Sequence, residues 1–105
     1  MAVAAFFAVA AIFVTSARAA EESRGDAQAM AIVQKHCVLC HAVKPRHANF
    51  EQPPKSVTLE TIAELKKHAK LVQQTLLNRT MPLGNLTGMS DGDRASLLAW
   101  LQALK

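Results

Sequence analysis

Residues 37–41 read Cys37-Val38-Leu39-Cys40-His41, two cysteines separated by two residues and followed directly by a histidine. Two intervening residues make about one helical turn, which lets both thiols reach the same edge of a flat molecule. Each thiol can then add to one vinyl group of a porphyrin, and the histidine that follows presents its imidazole to the iron. The motif predicts one covalently attached haem c, held by Cys37 and Cys40, with His41 as an axial iron ligand.

Two other kinds of site use a cysteine pair at this spacing. A thioredoxin-type redox pair follows a strand in a βαβ unit, and the sequence shows no such pattern. A structural zinc site usually has two ligand pairs, whereas this chain has two cysteines in total. Zinc would therefore need His41 together with one more histidine, from His36, His47 and His68. We favour haem over both alternatives.

The first nineteen residues differ from the rest of the chain. Residues 2–17 are almost wholly apolar, and Ala17-Arg18-Ala19 is a cleavage pattern of the A-x-A type. No basic residue precedes the apolar run, which is shorter than the roughly 20 residues of a membrane-spanning helix. Residues 1–19 are thus expected to be either a cleaved signal peptide or the end of a membrane-tethering helix. Both alternatives place the remaining domain, residues 20–105, in the periplasm.

The charge of the chain is mildly basic. Twelve basic and eight acidic residues give a net charge of +4. This excess does not indicate a nucleic-acid partner, but it would favour docking onto an acidic redox protein. The basic residues that could surround a haem edge, or simply form a solvated surface, are Lys35, Lys44, Lys55 and Arg79.

Hydrophobic periodicity predicts an all-α fold of three to five short helices around the haem, with no strand. The first helix is expected to begin at Asp26 as N-cap, and the last to span about 91–104, with a capping box at Ser90 and Asp93. The last helix carries an apolar stripe at Leu97, Leu98, Leu101 and Leu104. We expect these two helices to cross near Ala29 and Val33.

Between those helices, residues 42–57 are expected to be irregular, and residues 58–78 to form one interrupted helix or two short ones with a bend near 66–68. The second ring nitrogen of an iron-binding histidine usually bonds a backbone carbonyl. Pro53 is the first candidate to supply that carbonyl and Pro54 the second, unless these prolines only stiffen the loop. Phe50 is expected to pack against the haem edge.

The ligand opposite His41 decides what the iron can do. A thioether there favours electron transfer at a raised potential, whereas an open position favours ligand binding or peroxide chemistry. Met81 is the strongest candidate, because Pro82 directly after it restricts the backbone of an extended loop. The alternatives are Met89, a histidine (His47 or His68) or no ligand, and Met30 is expected in the core. His36 and His47 are expected to face solvent.

The order of these landmarks resembles that of the class I c-type cytochromes: a helix, the Cys-x-x-Cys-His motif, a loop, a Met-Pro loop and a final helix with an aromatic residue. The resemblance covers residues 26–105. It implies a mono-haem cytochrome c domain at 20–105, with His41 and Met81 on an iron that cycles between Fe(III) and Fe(II). Such a chain carries electrons between redox partner proteins of the respiratory chain and catalyses no bond chemistry by itself.

Shorter stretches are similar to the cytochrome c domain at the C-terminus of bacterial membrane-bound urate oxidase. In that family a membrane domain is thought to oxidise urate, and the cytochrome domain to pass the electrons onward. The likeness implies a membrane domain or tether as a partner, and it rests on Cys40-His41-Ala42, Lys44-Pro45, His47, Phe50, Pro53-Pro54-Lys55, Thr80-Met81-Pro82-Leu83-Gly84-Asn85 and Thr87-Gly88-Met89.

Overall fold

The computed structural model describes the backbone of residues 2–104 and the side chains of residues 15–104. All regular structure in that part of the chain is helical, which confirms the all-α prediction. Single turns of 3₁₀ helix lie at Pro54–Ser56 and Leu83–Asn85. The four α-helices are α1 (Ala2–His36), α2 (Ile62–Lys67), α3 (Ala69–Leu77) and α4 (Asp91–Gln102).

Helix α1 does not begin at Asp26, so the prediction of an N-cap there was wrong. The alanine-rich sequence before Asp26 has high helix propensity, and the helix continues through this position. The Asp26 carboxylate is used for tertiary contacts instead. Its Oδ1 accepts a hydrogen bond of 3.0 Å from the indole Nε1 of Trp100, and its Oδ2 lies 3.7 Å from Nζ of Lys66.

The described side chains of α1 before Gly25, those of residues 15–24, contribute no buried residue to the core. Residues 15–24 are all exposed, and burial begins at Gly25. Cleavage after Ala19 would therefore remove no buried residue among those whose side chains are described. Most of the predicted leader, residues 1–14, lies outside the described side chains. Within the described residues, no helix combines the length and the apolar character that a membrane crossing requires.

Helices α1 and α4 pack against each other as predicted. Ala29 and Val33 from α1 and Leu97 and Leu101 from α4 are buried in one cluster, and helix α3 also packs against α4. Gly25 extends the crossing, since a Cβ there would lie 3.6 Å from Cδ1 of Trp100. The buried core consists of Ala29, Ile32, Val33, Leu59, Leu65, Val72, Leu76, Met89, Leu97 and Leu101.

Residues 58–78 were predicted to form one interrupted helix or two short ones, and they form the two short helices α2 and α3. Helix α2 begins later than expected, because the Thr61 hydroxyl accepts a hydrogen bond from the Glu64 amide (3.2 Å) and caps the helix at Ile62. The break falls at His68, whose ψ of 15° is outside the helical range. The predicted cap of α4 is confirmed, with Ser90 Oγ accepting from the Asp93 amide at 3.0 Å.

Two leucines on neighbouring helices test how much of the stability depends on this core. Leu97 is fully buried at 0% exposure, while Leu77 is 58% exposed. Leu97→Ala should lower the free energy of unfolding by about 2–5 kcal/mol, because it leaves a cavity between α1 and α4. The matched change Leu77→Ala should cost much less. Urea unfolding measures both, and equal losses would show that the α1–α4 contact is not the centre of the core.

Candidate functional site

The cysteine motif forms a hydrogen-bonded turn directly after the end of α1. The amide of Cys37 donates to the Val33 carbonyl at 2.8 Å, and the amide of His41 donates to the Cys37 carbonyl at 2.9 Å. This turn keeps Cys37, Cys40 and His41 within one helical repeat. The local geometry therefore agrees with the spacing argument made from the sequence.

Two adjoining clefts open beside this turn, enclosing about 410 Å³ and about 760 Å³ when space open to solvent is included. Cofactor sites are mainly apolar clefts. Cys40 and Phe50 line the smaller cleft, and Leu71 and Leu76 line the larger one. Both clefts are lined by His36, Cys37, His41, Pro54, Met81 and Pro82.

His41 is oriented by a backbone carbonyl, but not by the predicted one. Its Nδ1 donates to the carbonyl of Val57 at 2.8 Å, which leaves Nε2 as the nitrogen for a metal. The predictions for Pro53 and for Pro54 were both wrong, because the Val57 carbonyl takes this place. The Pro53 carbonyl accepts from the Ser56 amide at 3.0 Å, and the Pro54 carbonyl accepts from the Val57 amide at 3.1 Å. Pro53 also lines neither cleft, whereas Pro54 lines both.

The loop after Arg79 places one methionine beside His41. Met81 lines both clefts, while Met89 is buried in the core at 5% exposure and Met30 packs against that core. Neither Met89 nor Met30 lines a cleft, and neither do His47 and His68. Of the four residues predicted as possible sixth ligands, Met81 is the one that lines the clefts together with His41.

Hydrogen bonds to α3, to α4 and within the loop itself hold the loop that carries Met81. The Met81 amide donates to the Thr75 carbonyl at 3.2 Å, and the Met81 carbonyl accepts from Nη1 of Arg94 at 2.9 Å. Asn85 bonds the backbone of Met89 on both sides, at 3.0 and 3.3 Å. Positive φ angles at Gly84 and Gly88 allow the tight turns. The loop backbone is therefore fixed independently of any bound group.

His36 is a residue that the sequence argument misplaced. It is only 4% exposed, so the prediction that it faces solvent was wrong. Its Nδ1 lies 2.8 Å from Oγ1 of Thr87, and its Nε2 lies 3.2 Å from Oδ2 of Asp93. The helical period contained the signal, because His36 follows Ile32 by four positions and Val33 by three, on the buried face of α1.

Arg94 was also missed, and it carries a similar signal. It precedes Leu97 by three positions and Leu98 by four, so it lies on the apolar stripe of α4. Its side chain is 6% exposed. A charged residue on a buried face is uncommon unless it is paired or hydrogen-bonded, and Arg94 therefore marks a position with a specific task.

Both cysteine thiols have a raised pKa, whereas redox-active thiols have a lowered one. Burial, and secondarily the neighbouring Cys40, raises the pKa of Cys37 to about 12, and burial also raises the pKa of Cys40. Thioredoxin-type pairs work through thiols of lowered pKa. The zinc alternative gains no support either, because the described residues contain no group of three or more His, Cys, Asp or Glu side chains placed to hold a metal.

The raised pKa predicts slow thiol chemistry in the haem-free folded chain. At pH 8 the alkylation of Cys37 by iodoacetamide should be at least about a hundredfold slower than in denaturant, where the thiol has its ordinary pKa. Since folding raises this pKa, the stability that the thiol contributes is complete below pH 9 and falls as pH rises toward 12. Peptide mass spectrometry measures the rates. A folded-state rate with its midpoint below pH 8 would contradict the burial argument.

The surface around the clefts combines positive charge with apolar side chains. Lys35, Lys44 and Lys55 are exposed, and Lys55 lines the larger cleft. Arg79 is engaged, because its Nη2 lies 3.2 Å from Oδ1 of Asp91. Leu83 and Leu86 are exposed and line the smaller cleft together with Cys40.

Comparison of the chain with family models, with curated proteins and with solved structures found no match.

Proposed function

We propose that this chain is a mono-haem electron carrier of the class I cytochrome c type. One observation carries the proposal: the Cys37–His41 turn and Met81, which follows His41 by 40 residues in the sequence, line the same apolar clefts. In this proposal Cys37 and Cys40 hold the porphyrin by thioether bonds, while His41 and Met81 bind the iron. Phe50 packs at the edge of the smaller cleft.

The donor set fits haem better than it fits other groups. An imidazole with Nδ1 bonded to a carbonyl has its Nε2 lone pair available and its ring direction set. A thioether is a soft ligand that suits iron in a low-spin electron-transfer site. When bound, haem c supplies a one-electron Fe(III)/Fe(II) couple. The protein contributes orientation through Val57 and exclusion of water through the apolar lining.

Occupation of both axial positions by protein atoms favours electron transfer over ligand binding. Apart from the motif residues, the titratable side chains that line the two clefts are His36, which is bonded to Thr87 and Asp93, and the exposed Lys55. The exposed Leu83 and Leu86 give a partner an apolar contact at the smaller cleft, and the exposed Lys55 adds a positive charge at the adjoining larger cleft. We therefore propose acidic redox partners of a periplasmic respiratory chain.

Expression with a c-type haem maturation system tests this function directly. The intact mass should exceed that of the polypeptide by one haem, and the colour should remain with the protein after acidic extraction. A redox titration should be reversible and fit one electron. A colourless product from such a strain, with both thiols free to react, would refute the proposal.

A second candidate function is the electron-accepting module of a urate-oxidising membrane protein. The observation in its favour is that α1 is unbroken from Ala2 to His36, so the apolar N-terminal residues run directly into the helix that ends at the haem motif. The test is to add urate to the natively produced protein in detergent. Reduction of the haem by urate would support this function, and haem that stays oxidised with urate but accepts electrons from ascorbate would exclude it.

A further inference from the structure

Arg94 carries a buried positive charge with no carboxylate partner. In the described residues the ion pairs join His36 to Asp93, Lys66 to Asp26 and Arg79 to Asp91. The Arg94 Nη1 instead donates two hydrogen bonds of 2.9 Å, to the carbonyls of Leu76 and Met81, and Nε is buried with no partner in the described structure.

These two carbonyls bracket the turn between α3 and the loop that carries Met81. Leu76 lies in the last turn of α3, where carbonyls lack partners within the helix. The Met81 amide is bonded to Thr75, one residue earlier. Both backbone polar groups of Met81 are therefore fixed, one by α3 and the other by Arg94.

We propose that Arg94 is the positioning residue for the Met81 thioether. By holding the Met81 carbonyl against the end of α3, it sets the direction in which the side chain leaves the backbone toward the cleft. The inference rests on the proposed function, because it assumes that the Met81 sulfur binds the iron.

Filling the core does not explain an arginine at this place. Burial of an unpaired charge is unfavourable, and a leucine or methionine would complete the apolar stripe of α4 without that penalty. Hydrogen bonds from a charged donor are stronger than neutral ones and offset part of it. What the arginine provides, and an apolar residue does not, is the attachment of two specified carbonyls to one rigid planar group.

The other end of the same loop is held from the neighbouring position of α4. Asp93 bonds His36, which in turn bonds Thr87. Consecutive residues of α4 therefore fix the loop near both of its ends, directly at Met81 and through His36 at Thr87. The cap at Ser90 holds this first turn of α4 in place.

The test uses the haem-loaded protein and two readouts. In Arg94→Met, the reduced protein should bind CO at least tenfold faster than the wild type, because the thioether leaves the iron more often. The Met81 amide should exchange with deuterium at least tenfold faster, while core amides such as that of Val33 keep their relative rates. Arg94→Lys keeps the charge but not the planar donor, and it should fall between the two. Arg24→Met, at an exposed arginine of α1, is the control and should match the wild type.

The outcomes separate this inference from the proposed function. If Met81→Ala opens the iron to CO but both Arg94 variants exclude it as the wild type does, Arg94 only stabilises the fold and the inference is overturned. If the wild type itself binds CO rapidly, Met81 is not the ligand, and the proposal and the inference both fail. Should Arg94→Met not fold, Arg94→Lys gives the same comparison.

Discussion

Replacing Cys37 and Cys40 together with serine is expected to yield a chain without covalent haem. A serine hydroxyl does not add to a vinyl group under conditions in which a thiol does, so neither thioether can form. The intact mass should be that of the polypeptide alone, and acidic extraction should remove all colour. Each single variant should retain one thioether and therefore some covalent haem.

The loss should extend to the fold. A domain of roughly 85 residues is near the size at which a hydrophobic core needs additional cross-links or a bound group for stability. The apolar clefts beside the motif would then face water. We expect the double variant to fold but to unfold at a much lower temperature than the haem-loaded wild type, as measured by circular dichroism. Gln34→Ser, at an exposed position just before the motif, is the control and should retain full haem content. Covalent haem in the double variant would contradict the assignment of the motif.

Met81→Ala should have the second largest effect, and it should be confined to the iron. Removal of the thioether opens one axial position, so CO should bind the reduced variant rapidly while the wild type excludes it. The reduction potential should fall by about 0.1 V or more, within the range of about 0.8 V over which axial ligands tune haem. Haem attachment through Cys37 and Cys40 should be unaffected.

Met89 provides a matched control for that change. It is the rival methionine in the same loop region, but it is buried in the core and lines neither cleft. Met89→Ala should lower the free energy of unfolding by about 2–5 kcal/mol and leave the potential and CO exclusion unchanged. The reverse pattern, with an open iron in Met89→Ala and a closed one in Met81→Ala, would move the ligand to Met89.

Features that depend on neighbours in sequence were predicted well. The turn at residues 37–41 follows from the spacing of the motif. The cap at Ser90 follows from its hydroxyl oxygen, which lies three residues before the Asp93 amide at the start of α4. The leucine stripe of α4 follows from the 3.6-residue period, which also contained the burial of His36 and Arg94. Those two were missed because polar residues on a buried face are the exception to the rule from which burial is predicted.

Features that depend on distant partners were not predictable in the same way. The partner of His41 is a backbone carbonyl, and every residue has one, so residue type could not distinguish Val57 from Pro53. Asp26 is of a residue type that is common at N-caps, but its carboxylate contacts Trp100 and Lys66 from other helices instead. Local sequence is compatible with Asp26 as an N-cap and with Asp26 inside a longer helix. Its bond to Trp100 depends on how α1 packs against α4.

The sequence alone determined the helical class of the domain and the set of methionines and histidines that could face the Cys37–His41 motif, and it predicts the chemistry of that motif. These depend on side-chain chemistry and on spacings of a few residues. Only the tertiary structure decided which methionine lies beside His41, which carbonyl orients its ring and that Arg94 holds the Met81 backbone. The reason is physical. These contacts join residues that are 13 to 40 positions apart in the sequence, and their geometry is set by how the helices pack.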